Sequence, residues 1–571
     1  MNVKQRWRLR AERAAWRLDQ PQMLRIAMWL VPVFFGLLSW SMRQDSNWDL
    51  RNYHLYNPFA WLNGKVGLDV APAQMQSYFN PTIDLLYYGL NKVAPPWLIG
   101  FVMGVIHGLN FLVLVGIARA VLPAGPHGRP VRLPLLLAFA GLLGAGFIAQ
   151  LGNTMGDNLT ALFVLGAVWL VLHHWHAFAR GAGLGQLLLA GLVMGLGMGL
   201  KLTNGIYAPA LCLALLLVPA SSALRIRAAF LFGVGVLAGV AVTAGHWFWK
   251  MWTLFGNPLY PQFNTLFQSP LAGPMAVGDT RWMPQALVEK ALWPFIFAMH
   301  PQRISEIKLS MVVWPILYVA LIALVCVSVA RRGAGAAPGD TASRSRNTAL
   351  LTFFALSYFT WLNMFSIHRY LVPLELLAPV LLWLIAQRLF PHALAGKIAA
   401  VLVLLVIACS VPSKNWGRTG FAKQTLSAEV ASLANPRQSM VLTVHADPPM
   451  AWIATFYPRD LAFVSLVSGI ESPALAQRIQ GMLAERKGPI YLMLSDSGAA
   501  VDAGMDAARK QRGLEEDAAI DRNASQVLAA RGLQFAPAGC VSYPAHIGNH
   551  LAHYRMCPVT PLAAGVPPVQ P

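Results

Sequence analysis

The sequence predicts an all-α polytopic membrane bundle of about eleven transmembrane helices, followed by a small exterior α/β domain. Three observations predict it. Of the 571 residues, 56% are hydrophobic and only 12% are charged, against roughly a quarter charged in soluble domains. Apolar runs near twenty residues recur up to position 412, long enough to cross a hydrocarbon core of about 30 Å. After Ser413 the texture changes to short β-rich runs between Ala-rich stretches. There are too few polar side chains to surface several globular domains, which excludes soluble multidomain, disordered and collagen-like chains.

Taken in order, residues 1–22 carry Lys4, Arg6, Arg8, Arg10, Arg13 and Arg17 and lead into the apolar run 24–40. That run is long for a signal-peptide core and no small-residue cleavage site follows, so it reads as a retained first helix with a cytoplasmic N-terminus. Further spans fall near 97–118, 133–150, 158–174, 185–200, 205–219, 228–249, 311–330, 348–366, 371–387 and 398–412. A net charge of +20 usually suggests nucleic acid. Here the basic residues sit mostly in short loops, where they set orientation instead. Alternation from an inside start places Arg119, Arg129, Arg132, Arg180, Arg225, Arg227, Arg331, Arg332, Arg344, Arg346, Arg388 and Lys397 in cytoplasmic loops. The segment 151–157 has no Lys or Arg, and 43–96 balances Arg43, Arg51, Lys65 and Lys92 with four aspartates. The expected organisation is a basic cytoplasmic N-terminus over 1–22 and a transmembrane domain over 23–412 with exterior loops 43–96 and 250–310. A periplasmic α/β domain over 413–571 completes an integral, multi-pass protein of the plasma (inner) membrane. Within the second loop, 283–299 mixes apolar bulk with Glu289 and Lys290 and reads as a surface helix.

In the tail, SMVLTV, LAFVSL and PIYLML read as buried strands, and 473–487 and 500–531 as helices, giving a partly parallel sheet. Asp447 and Asp496 follow the first and third strands, where ligands bind in open α/β sheets; helix capping is the plainer reading and is preferred. Cys540 and Cys557, the only tail cysteines, are expected to pair in an oxidising compartment. Cys212, Cys326 and Cys409 lie in apolar spans and are expected to stay reduced. Gly191, Gly195 and Gly199 repeat every four residues, the spacing of close helix packing in a bilayer.

No phosphate-binding P-loop, HExxH or GxSxG motif occurs, so neither ATP hydrolysis nor serine hydrolase chemistry is supported. The informative stretch is DSNWDLRNYHLYNPFAWLNGKVGLDVAPAQMQSYFNPTIDLLYY. If 48–56 is helical, Asp49, Asn52, Tyr53 and Tyr56 share one face and Arg51 and His54 the other. A carboxylate at the membrane edge among tyrosines is partly desolvated, which raises its basicity toward that of a general base; an ordinary interfacial Asp in an aromatic belt is the competing reading. Lys201, in a hairpin between short spans, and Arg369, beside His368 and Tyr370, are cations at headgroup depth suited to a phosphate; snorkelling is the alternative for each. His107 reads as a packing residue, and His173, His174 and His176 as a solvated face.

These residues resemble the GT-C class of polytopic glycosyltransferases. The resemblance runs over roughly residues 23–412 through WDLRNYHLYNP, NTMGDNLTALFVLGAVWLV, GLKLTNG, FGNPLYPQFN and IHRYLVPLELL. It implies an inverting enzyme that moves a hexose or pentose from a polyprenyl-phosphate donor to a glycan or lipid acceptor of the cell envelope, on the exterior face. It makes Asp49 the catalytic residue, as base or metal ligand, and Asp157 a second acidic residue. The substrate-binding set is then Arg51, His54, Asp157, Lys201, His368 and Arg369. The first loop lacks an Asp-x-Asp or Asp-Glu pair, so a divalent metal, if one is used, falls to Asp49 and Asp157. The expected partners are the lipid-linked donor, the acceptor and membrane lipids, with no nucleic acid. The alternatives are a polymerase or ligase of lipid-linked glycans, a secondary transporter, and a non-catalytic envelope assembly protein. A transporter would carry internal repeats and mid-membrane charges, whereas here the charges cluster at one face.

Overall fold

A computed structural model describes residues 19–123, 131–275, 280–331, 341–410, 415–445, 447–502 and 504–562. They form two compact units. The first is built from the described parts of Met1–Ser41, Phe101–Gly245 and Gly278–Trp416, the second from Met42–Gly100, His246–Val277 and Gly417–Pro571. The tail from Gly417 and stretches of both expected exterior loops fall in the same unit.

The helical character of the chain is clear. Among the described residues five helices are long and apolar enough to cross a membrane: Pro21–Ser41, Pro96–Val121, Ser222–Phe255, Val313–Ala330 and His368–Leu389. Five apolar helices are shorter, Arg132–Leu142, Asp157–His173, Gly185–Leu200, Leu202–Leu215 and Leu394–Cys409. The expected span 133–150 is not one helix. It stops at Leu142 and resumes over Ala145–Ala149, so its first part rises only about 16 Å at 1.5 Å per residue. At the start of the second piece both carboxylate oxygens of Glu375, from another helix, accept from Gly146 N, at 3.1 and 3.2 Å. The expected span 348–366 folds as the helix Thr341–Met364, whose first turns carry Arg344 and Arg346.

The glycine repeat does what its spacing predicts. A Cβ on Gly191 or Gly195 would land on the backbone oxygen of Phe232 or Val236, and one on Gly235 or Gly239 on that of Leu188 or Leu192. Helices Gly185–Leu200 and Ser222–Val240 thus approach backbone to backbone, which a side chain on either would prevent. The surface helix begins at Leu287, not 283, and runs to Met299. It exposes Leu287, Val288, Leu292 and Met299 and ties its charges to Arg303 (Glu289, 2.6 Å) and Asn363 (Lys290, 2.8 Å). His107 is fully buried and accepts from Gly152 N at 3.0 Å, a packing role.

In the second unit, β1 (Gln44–Asp45) pairs antiparallel with β2 (Arg418–Thr419). A seven-stranded sheet follows, from β3 (Leu426–Ala428), β4 (Met440–Thr443), β5 (Ala462–Ser465), β6 (Ile490–Asp496), β7 (Leu533–Phe535), β8 (Val541–Ile547) and β9 (His550–Pro561). Its order is β3-β8-β9-β6-β4-β5, with β7 also on β9. The three strands read from the sequence are the parallel part, β4 lying between β5 and β6, and they are buried because every residue of β4 and β5 is inside. The two tail helices are Pro473–Glu485 and Ala507–Ala529. Cys540 and Cys557 form the expected disulfide, Cα atoms 4.1 Å apart, Cys540 lying just before β8 and Cys557 within β9. Cys212, Cys326 and Cys409 are free.

The first long loop extends this sheet. Val70 bridges Val464 in parallel, its N–H donating to Phe463 O (2.9 Å) and its carbonyl accepting from Ser465 N (2.8 Å). Beside it Lys65 is wholly buried. Its ammonium donates to Leu461 O (2.6 Å) and Arg459 O (3.1 Å) and pairs with Asp69 Oδ1 at 3.2 Å. Asp69 also accepts from Tyr56 OH (2.6 Å) and Phe463 N (2.9 Å). Burial raises the Asp69 carboxyl above the usual carboxylate range even though Lys65 opposes the shift.

Candidate functional site

In the helical unit, Gly156 at φ 82° turns the chain into helix Asp157–His173, a left-handed conformation that glycine adopts freely. The turn sets Asp157 at a helix start, nearly buried. Lys201, just past helix Gly185–Leu200, reaches Asp157 Oδ1 at 2.6 Å and Met155 O at 2.7 Å. The same ammonium lies 5.5 Å from the ring of Tyr370, and the Arg369 guanidinium 5.4 Å from that ring. Tyr370 is anchored by Tyr207 OH, which donates to its carbonyl at 2.5 Å. Two residues chosen from the sequence, Lys201 and Arg369, thus flank one tyrosine, and a third, Asp157, pairs with Lys201.

His368 is buried and faces Glu375 at 3.4 Å. Glu375 was not singled out from the sequence. Its signal was available, as a lone acidic residue inside the apolar run VPLELLAPVLLWLI, where an ionisable group is costly enough to imply a purpose. Gly144 and Gly146 make room for it: a Cβ on Gly146 would sit 2.5 Å from Glu375 Oε2 and 2.9 Å from His368 Cε1, and one on Gly144 2.8 Å from Glu375 Oε1.

Asp49, Arg51 and His54 belong to the second unit. Asp45 and Asn47 set the local winding: Asn47 Nδ2 reaches both Asp45 oxygens (2.9 and 2.8 Å) and Asn47 Oδ1 caps Leu50 N at 2.8 Å. Asp49 precedes the turn and is 8% exposed. The turn Leu50–His54 is a π-helix, with Tyr56–Leu62 α-helical after it. Closing i→i+5 bonds changes which residues share a face. Asn52 and His54 are both buried while Arg51 and Tyr53 stay half-buried, so burial does not follow the two expected faces. His54 Nδ1 is instead 2.6 Å from Asp84 Oδ1, with both side chains 4% exposed. Asp84 lies in the first-loop stretch quoted above, but only the tertiary fold brings it thirty residues back. Burial lowers the Arg51 guanidinium, against the opposing pull of Asp447 and Asp45.

Neither tail aspartate caps a helix. Asp447 accepts from Trp48 Nε1 at 3.1 Å, while Asp496 accepts from Gly498 N at 2.9 Å and from the Ser542 hydroxyl. At the same end of the parallel strands, Ser495 N donates to His445 Nε2 at 3.2 Å. Burial pushes the His445 imidazole below its ordinary value; Asp447 opposes this and Arg555 adds to it.

Among the described residues no three His, Cys, Asp or Glu side chains are grouped to hold a metal ion. Of the two carboxylates the sequence offered, Asp157 already carries the Lys201 ammonium on Oδ1, a poor donor set for a divalent cation. No family model and no curated protein matches the chain, so the functional argument rests on the side-chain arrangement.

Proposed function

We propose that the chain is a multi-pass inner-membrane glycosyltransferase of about eleven spans. It would move a sugar from a polyprenyl-phosphate donor to a cell-envelope acceptor on the exterior face. Its N-terminus would be cytoplasmic and its tail domain periplasmic. The observation that carries the reading is the placement of Lys201 and Arg369 against the ring of Tyr370. Two cations at the ends of apolar helices suit a phosphate that must leave water while its chain stays in lipid. The polyprenyl phosphate departs as a stable anion, so cation stabilisation counts for more than protonation. Asp49 deprotonates or orients the acceptor hydroxyl, as the resemblance to GT-C enzymes implies.

The test is binding and transfer of radiolabelled polyprenyl-phosphate sugars by the full chain in detergent. Arg369→Ala and Lys201→Ala should weaken donor binding, transfer or both; full retention by both variants would overturn the reading. A transport function is favoured by one observation, the buried Glu375–His368 pair in a helical unit. Donor uptake into proteoliposomes without release of polyprenyl phosphate would establish it instead.

A further inference from the structure

We infer that the proton of the acceptor hydroxyl goes to His54, oriented by Asp84, in a first-loop site that takes a hydroxyl-rich ligand; the inference rests on the transfer reading above. The pair has the arrangement of a carboxylate-oriented base. A carboxylate only accepts, so at 2.6 Å from Asp84 Oδ1 the Nδ1 atom holds the proton of the neutral imidazole, and Nε2 presents its lone pair. Nε2 is buried and has no hydrogen-bond partner among the described residues. At His54 the carboxylate partner on Nδ1 and the open Nε2 occur together.

The neighbouring side chains define what would meet it. Asn52 Nδ2 is spent on Ala73 O (3.5 Å), and Asn57 Nδ2 on Gln76 O (2.8 Å) and Phe79 O (3.3 Å). These bonds fix which way each amide points. The Oδ1 atoms of both, and the Oε1 atoms of Gln74 and Gln76, are buried without a donor. The segments 50–54, 56–62 and 74–78 pack together, so these acceptors belong to one small body. Arg51 adds an unpaired donor, Nε. Hydroxyl groups both donate and accept and so serve this mixed set. An ammonium ligand would donate only, and the Arg51 charge would repel it. The ligand class is therefore a polyol such as a sugar.

The step balances. The hydroxyl oxygen bonds to the anomeric carbon as the bond from that carbon to the phosphate oxygen breaks. The electron pair leaves with the polyprenyl phosphate, and the hydroxyl proton moves to His54 Nε2. The resulting imidazolium is held by Asp84 and returns its proton to water after product leaves. Asp49 then keeps the orienting role. The titratable groups around His54 are few. Tyr53 lies 4.1 Å away ring to ring, Arg51 sits on the same turn with Asp49 just before it, the helix Tyr56–Leu62 packed on it brings Tyr56, and the turn Ala451–Phe456 that also packs on it brings none. Tyr78, on the Gln74–Tyr78 turn, is pushed up to about 12 by burial and stays neutral.

The experiment measures polyprenyl phosphate released from radiolabelled polyprenyl-phosphate hexoses and pentoses by the full chain, with a native envelope glycan extract as acceptor, across pH 5–9. Wild type should show a rate that rises through one ionisation. His54→Gln should lower the rate about 10²–10⁴-fold and abolish that limb, whereas Asp49→Asn should lower the rate and keep it. His54→Ala should recover activity with added imidazoles in proportion to their basicity, which a folding defect would not do. A His54→Gln protein that keeps the limb, or a His54→Ala protein that imidazoles do not rescue, overturns the inference while leaving transfer itself standing. No release by wild type from any donor overturns the transfer reading, and this inference with it.

Discussion

Replacing Lys65 with methionine should loosen the first loop from the sheet. The ammonium is wholly buried and makes two carbonyl contacts and one carboxylate contact. Methionine keeps the stem's volume but leaves the Asp69 charge with only Tyr56 OH and Phe463 N as donors. Removing one partner of a buried ion pair costs about 3–5 kcal/mol, because the survivor remains in low dielectric unpaired. The amides of Val70 and Ser465, which form the bridge to β5, should then exchange with deuterium at least roughly 10²-fold faster, at about 1.4 kcal/mol per tenfold. Adding Asp69→Asn should restore about 2 kcal/mol of that loss. The amide Oδ1 still accepts from Phe463 N, its Nδ2 donates to the Tyr56 hydroxyl oxygen in place of the bond Oδ2 accepted, and no lone charge is left behind. The deficit should also shrink on acidification. A carboxyl whose folded pKa is raised contributes most below its unfolded value and loses that contribution as pH rises through the folded one. Without Lys65 the Asp69 value rises further, so protonation relieves the variant at a higher pH than it does the wild type. Unchanged exchange in Lys65→Met, or a double variant no better than the single, would refute the ion-pair argument.

Three further outcomes follow from the geometry. Gly146→Ala should displace Glu375, since the new Cβ would lie 2.5 Å from Oε2; a loss of about 1–3 kcal/mol in thermal unfolding of the helical unit is expected, and an unchanged melting temperature would contradict it. Cys540→Ser with Cys557→Ser should destabilise the tail by about 3 kcal/mol in the chain-entropy model for a loop of this size, measured as denaturant sensitivity of the sheet against the wild type with and without reductant. His445 has a folded pKa held below its ordinary value, so its contribution to stability is present above the unfolded value near 6.5 and is lost as pH falls below it. His445→Gln should flatten the tail's stability between about pH 7 and 5, and a slope like that of the wild type would show that other groups set it.

The sequence alone determined the features that depend on local composition and period. Apolar runs yield helices wherever they occur, because a backbone surrounded by hydrocarbon side chains must satisfy its own hydrogen bonds. The four-residue glycine spacing yields backbone contact between helices, and three short β-rich runs yield the parallel strands β4, β5 and β6. Cys540 and Cys557 were the only candidates for a tail disulfide. The sequence also supplied Asp157, Lys201 and Arg369, since charges bordering apolar runs stand out. What it left undecided were relations over distance. Past the break at Leu142, Gly146 N finds its acceptor in Glu375, more than two hundred residues later. Lys65 looked like one more balancing charge until Arg459 and Leu461 were folded over it. His54 meets a partner, Asp84, that is thirty residues away, beyond the reach of local periodicity. Periodicity fixes which side chains share a face within one regular element. Only the tertiary structure decides which groups from separate elements meet, because burial and partner together set whether a charge is paired, shifted or left open to a ligand.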